Sequence, residues 1–161
     1  YLPLAALISS NLGFGLLWSL PLHETLLYIG SMICVGFVEE VIFRGLLFNA
    51  MRKDGLKSAV IVSSLTFGIG HIVNLFNGSG AQLLSNLCQV GYAAAVGFLF
   101  VIFFLKTGSL IPCIVTHSAV NALSVFANEG GITVAQEIFS AVTIAVIALA
   151  YAIYLLKKVP E

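Results

Sequence analysis

Charged side chains are scarce in this chain, and those inside apolar runs are the ones with chemistry to offer. Glu39, Glu40 and Arg44 all lie within the apolar stretch Leu26–Phe48. A charge at the centre of a bilayer costs at least ~2.5–3.5 kcal/mol, so three in one span need compensation. On a helix, Glu40 and Arg44 sit one turn apart on one face and can pair. Glu39 points roughly 100° away around the axis and stays outside that pair. One carboxylate is then neutralised, and the other is available as a base. Two histidines and a carboxamide extend the set: His71, which closes Phe67-Gly68-Ile69-Gly70-His71, and His117, with Asn121 four residues beyond it. A carboxylate in a dry apolar site is a stronger base than in water and can take a proton from water near neutral pH. An imidazole beside it can share that work. An amide N–H and an imidazole N–H from another face can bind the oxyanion that forms on a carbonyl. Together these groups can hydrolyse an amide without a covalent intermediate.

The elements that must position these groups follow from composition. The chain has 161 residues, 60% of them hydrophobic and 9% charged, against about 25% charged in an ordinary soluble domain. An all-α, polytopic transmembrane bundle is the expected fold class, with residues 1–161 as one domain. Six apolar segments can be marked: Pro3–Leu20, Glu24–Met51, Ser58–Phe76, Gln82–Leu105, Ser109–Ala127 and Ile132–Leu156. Short breaks rich in Gly, Asn and Pro separate them, among them Asn77-Gly78-Ser79-Gly80 and Asn128-Glu129-Gly130-Gly131. The chain begins at Tyr1 rather than Met, so a trimmed N-terminus with helices missing upstream is expected. A net charge of zero and the lack of a basic stripe set nucleic-acid binding aside. Cys34, Cys88 and Cys113 all fall in apolar runs and read as packing residues.

Lysine and arginine occur in alternate breaks: Arg52, Lys53 and Lys57, then Lys106, then Lys157 and Lys158 after the last segment. The positive-inside rule places those breaks and both termini in the cytoplasm. Counting inward at roughly 1.5 Å per residue puts Glu39 and Glu40 roughly 16–18 Å deep, His71 roughly 20 Å, His117 roughly 12 Å and Asn121 roughly 18 Å. Independent helices thus deliver their polar groups to one slab of the membrane, which predicts a site between the second, third, fourth and fifth helices. Its hydrated cavity is expected to open toward the cytoplasmic half. Asn86, Gln89 and Tyr92 recur at three-residue spacing and read as interhelical glue or cavity lining. His23, Glu24, Glu129 and Glu137 fall near the opposite interface and are read as loop or helix-cap residues without chemistry.

Three motifs in order on the second, third and fifth helices, Glu39-Glu40…Arg44, Phe67…His71 and His117…Asn121, resemble those of the CPBP family. This family comprises type II CAAX prenyl proteases and the bacteriocin-processing or immunity (Abi) proteins, also called intramembrane glutamic endopeptidases. The resemblance covers about half the chain. It implies that Glu39 activates water with help from His71, that His117 and Asn121 line the oxyanion side, and that Glu40 and Arg44 support the second helix. It further implies a membrane-associated or prenylated peptide or protein as substrate, with the lipid bilayer as the surrounding partner and no cofactor.

Other readings of the same residues remain open at this point. Glu39, His71 and His117 can supply a three-ligand zinc site with an open position, which makes an intramembrane metalloprotease the nearest rival. Cys113 lies four residues before His117, and such pairing can activate a thiolate. Intramembrane charges also form proton or ion paths, although the chain lacks the internal repeat common in transporters. A non-enzymatic bacteriocin-immunity or binding protein on the same scaffold is the remaining class. Such a protein should tolerate Glu39→Gln, whereas a glutamate protease should not.

Overall fold

The computed structural model describes residues 2–78, 80, 82–128 and 130–158. Ser79 and Glu129, in two of the predicted breaks, lie outside the described residues. The expected all-α architecture is present; among the described residues the β-type pairing is a single isolated bridge, Leu16 to Ala127. Six helices carry the fold: α1 (Leu2–Ile8), α2 (Leu22–Met51), α3 (Leu56–Gly70), α4 (Leu83–Thr107), α5 (Ile111–Leu123) and α6 (Val134–Lys158). Short 3₁₀ turns extend α3 through His71–Leu75 and α5 through Ser124–Phe126.

The helix ends follow local chemistry. Pro21 precedes α2 with an extended backbone, as a residue without an N–H donor allows. α4 stops at Gly108, whose φ of 67° is the left-handed conformation that glycine adopts without a Cβ penalty. Pro112 occupies the first turn of α5, where its missing N–H costs nothing. Lys157 and Lys158 sit in the last turn of α6 and Glu137 in its first, each favourably placed against the helix dipole.

Two predicted segments come out shorter than drawn. Pro3–Leu20 is helical only over Leu2–Ile8, continues as a 3₁₀ turn at Ser10–Leu12 and then runs non-helically. Gly13 and Gly15 interrupt it, and Leu17 N–H bonds the Phe126 carbonyl, tying this stretch to the end of α5. α5 with its 3₁₀ extension is apolar but short. The other four, including the 3₁₀ turn of α3, have the length and hydropathy of membrane spans.

α2 is not uniform. It is α-helical over Leu22–Glu40, π-helical over Val41–Phe48, and α-helical again at Asn49–Met51. π segments are rare and concentrate at functional sites. This one begins immediately after the paired glutamates. Side chains such as Leu27 (73% exposed) and Leu46 (63%) cover the outside of the helix, the pattern of a surface whose solvent is lipid.

α2 packs along α5, and α4 lies between α3 and α6. Glycines set the closest approaches. A Cβ on Gly36 would lie 2.6 Å from Ser118 Oγ and 2.7 Å from the Ser118 nitrogen, so α2 and α5 meet backbone to backbone. A Cβ on Gly68 would lie 2.7 Å from the Ala94 Cβ and from the Val90 carbonyl oxygen, locking α3 against α4. The α2/α5 pair and the α3/α4 pair meet along a seam where the intramembrane polar residues lie.

Candidate active site

Glu40 and Arg44 pair as their spacing predicts. Arg44 Nη1 donates to Glu40 Oε1 at 2.9 Å, and both side chains are fully buried. Arg44 then crosses the seam: Nη2 donates to the Gly97 carbonyl of α4 at 3.1 Å. Gly97 is needed there, because a Cβ would sit 3.0 Å from the Phe67 ring and 3.3 Å from Nη2. The guanidinium lies 4.3 Å from the Phe67 ring centre and 5.4 Å from that of Phe100, a cation–π environment that suits a desolvated arginine. Phe67 is the hub. Its ring meets His71 at 5.3 Å, His117 at 5.4 Å and Phe43 at 5.3 Å, all edge to face.

Glu40 has a second partner that spacing alone did not reveal. Its Oε1 also lies 2.9 Å from His117 Nδ1. A carboxylate paired with an arginine can only accept, so Nδ1 of His117 carries the hydrogen and the imidazole is held in one orientation. The other face of that ring, Nε2, lies 3.5 Å from Glu39 Oε2. Glu39 is therefore outside the Glu40–Arg44 pair, as expected, but its nearest imidazole is His117. His71 is engaged elsewhere: its Nδ1 bonds the Phe67 carbonyl at 3.0 Å. With the hydrogen on Nδ1, Nε2 of His71 is an acceptor.

His71, His117 and Asn121 line one cavity of about 90 Å³. A buried water needs roughly 10–15 Å³ of such space, so the cavity has room for a few. Glu39 is not among its lining residues and joins the set through His117. Leu7 and Ile144 also line the cavity, so α1 and α6 contribute walls that the expected site among α2, α3, α4 and α5 did not include.

The expected opening toward the lysine- and arginine-bearing end is not what the packing gives. Ser10, Asn11, Gln89, Tyr92 and Ile144 line both the small cavity and a wider one of about 540 Å³. The wider cavity lies at the opposite end of the bundle, where α4 and α6 begin and α5 ends. Arg44 with the rings of Phe43, Phe67 and Phe100 fills the seam beside the small cavity, whereas short polar residues line the wider one.

The support behind His71 comes from the polar row of α4. Asn86, 1% exposed, donates through Nδ2 to the His71 carbonyl at 2.8 Å. Gln89 Oε1 accepts from Asn74 Nδ2 at 3.0 Å. The three-residue spacing of Asn86 and Gln89 was the available signal, and both readings of it hold: these residues are glue and lining at once. Asn11, which donates to the Val120 carbonyl at 2.6 Å, left no sequence signal. Cys113 is not among the residues lining the small cavity. It is buried, and its Sγ is directed at the Phe100 carbonyl at 3.6 Å. Among the described residues no three His, Cys, Asp or Glu side chains converge as a metal-ligand group, so Glu39, His71 and His117 are not preassembled as a zinc site.

Comparison with known proteins places most of the bundle in a family. A family model, that of the type II CAAX prenyl endopeptidase Rce1-like proteins, matches residues 21–123, which is the stretch from the start of α2 to the end of α5. No curated protein and no solved structure matches the chain.

Proposed function

The chain belongs to the Rce1-like family of type II CAAX prenyl endopeptidases, and from that premise we propose that it is an intramembrane endopeptidase using Glu39 as its water-activating base. The family and the four spanning apolar helices make it an integral membrane protein of a peptidase family. The observation that carries the finer reading is the Glu39–His117–Glu40 chain, 3.5 Å on one side of the imidazole and 2.9 Å on the other.

In this reading Glu39 takes a proton from a water admitted beside the His117 ring, whose Nε2 lies 3.5 Å from Glu39 Oε2. His71 Nε2 orients the chain of water that continues from there into the small cavity. With protons on both nitrogens, His117 brings Glu39, Glu40, Arg44 and His117 to zero net charge, which suits a low-dielectric site. Its Nε2–H and the Asn121 amide then donate to the oxyanion that forms at the scissile carbonyl. Hydroxide adds to the carbonyl carbon, the C–N bond breaks, and the proton held by Glu39 passes to the leaving amine. Glu40 and Arg44 never touch the substrate; they orient His117. The substrate is a membrane-associated or prenylated peptide or protein, residues 1–161 act as one intramembrane protease unit, and both ends of the chain face the cytoplasm.

Purified protein in detergent should cleave a prenylated CAAX peptide or a double-glycine leader peptide. Glu39→Gln should lower the rate by about 10²–10⁴-fold while leaving the thermal midpoint unchanged. Activity that survives a strong chelator supports the metal-free mechanism. Full activity in Glu39→Gln would sink it.

A further inference from the structure

We propose that the wider cavity is a binding site for an extended polypeptide segment carrying a lysine or arginine, and that Glu137 is the residue that reads its positive charge. The inference deepens the peptidase reading and rests on it for the ligand's being a polypeptide. At about 540 Å³ the cavity falls within the roughly 300–1,000 Å³ typical of ligand sites. Its wall is mostly neutral carboxamide and hydroxyl groups, among them Asn11, Gln82, Ser85 and Gln89. These match the alternating N–H and C=O groups of a peptide backbone, and no lysine or arginine lines the cavity to hold an anion.

Two features point to a ligand with donors and positive charge. Asn86 lines the cavity, yet its Oδ1 is buried with no hydrogen-bond partner among the described residues, while its Nδ2 is committed to the His71 carbonyl. That oxygen is covered in the present packing and meets a bound segment's donor only where the side chain turns toward the cavity. Glu137 is the one Asp, Glu, Lys or Arg side chain in the described lining, and no ion pair to it is found among the described residues. Its place in the first turn of α6 suits the helix dipole, but that role would not discriminate between ligands. Because Asn11, Gln89 and Tyr92 are shared with the small cavity, a segment seated here leads toward His71 and His117. Glu137 lies outside the family match of residues 21–123, so this preference would belong to the present chain.

The test is binding by the Glu39→Gln protein, in nanodiscs, of labelled glycine/serine/alanine peptides carrying one central lysine or one central glutamate, read by fluorescence anisotropy. The lysine peptide should bind about fivefold tighter at low salt, with the preference weakening as salt rises. Glu137→Gln should abolish the preference and Glu137→Lys should reverse it, each with the parent's thermal midpoint. Equal binding of the two peptides overturns the inference, and it does so even where the parent cleaves peptides and Glu39→Gln does not. A charge preference that tracks Glu137 in a protein without peptidase activity would keep this site and sink the catalytic reading instead.

Discussion

Arg44→Leu is the perturbation that most directly tests how the polar seam is held together. The substitution removes the 2.9 Å bond to Glu40 Oε1, the 3.1 Å bond to the Gly97 carbonyl and the contact with the Phe67 ring. Glu40, fully buried, keeps only His117 as a partner. Breaking a buried pair from one side costs about 3–5 kcal/mol. For a chain of this size each kcal/mol shifts the midpoint by about 2–4 °C, so the fall should be about 6–20 °C in detergent. The double variant Glu40→Leu/Arg44→Leu should behave differently. It strands no charge, and replacing a buried pair with apolar groups is often neutral or stabilising by about 1–4 kcal/mol. Against that, His117 Nδ1 loses its acceptor, at about 1–3 kcal/mol. The pair is also imperfect, since Glu40 Oε2 and Arg44 Nε have no hydrogen-bond partner among the described residues. The double variant should therefore melt above Arg44→Leu and near the parent, yet be inactive because His117 is no longer held. The measurement is thermal unfolding of the parent, both single variants and the double variant, alongside peptide cleavage. A double variant whose loss equals the sum of the two single losses would refute the coupling, and an active one would refute the positioning role.

Three further outcomes follow from the packing. Gly36→Ala forces a Cβ to within 2.6 Å of Ser118 Oγ and should cost about 1–3 kcal/mol, seen as a lower midpoint; Gly70→Ala, with nothing within 4 Å of its Cβ, should not. Asn86→Leu leaves the His71 carbonyl without its side-chain donor and should destabilise by about 1–3 kcal/mol, with a fall in kcat rather than a rise in KM. A hydrophilic maleimide should label Cys88, which lines the wide cavity, and spare buried Cys113. Protection of Cys88 in the folded protein would mean that the cavity is dry.

The helix count and the pairing of Glu40 with Arg44 were legible in the sequence because both depend on spacing along one chain segment. Depth arithmetic set His71, His117 and Asn121 at similar levels, and the three line one cavity. It could not tell which imidazole Glu39 approaches, since that depends on the rotation of α5 against α2, set by the Gly36–Ser118 contact. The shortened first segment was misjudged for a related reason. Leu2–Leu20 is apolar enough to span, but Gly13 and Gly15 weaken it as a helix, and its backbone finds partners at Phe126 instead. Glu137 sits in the first turn of α6, as its reading as a helix-end acid expected, but nothing local shows that α1, α4 and α6 enclose a cavity that it lines.

The π-helical stretch of α2 has a consequence for phase. The buried residues Gly36, Glu40, Arg44 and Phe48 recur at a strict interval of four. In an uninterrupted α-helix each such step overshoots a full turn by roughly 40°, so the stripe would wind away from the seam by about a third of a turn over its length. The π turns, closed by bonds to the fifth residue, hold more residues per revolution and drift the opposite way. Joining the two windings at Glu40 acts as a vernier: the two drifts offset each other, and a glycine contact, a carboxylate, a guanidinium and an aromatic ring stay in file along one side of the rod. The winding is thus a ruler for the site, and deleting one residue between Val41 and Leu47 should shorten it by one notch, turning Arg44 and Phe48 out of line with Glu40.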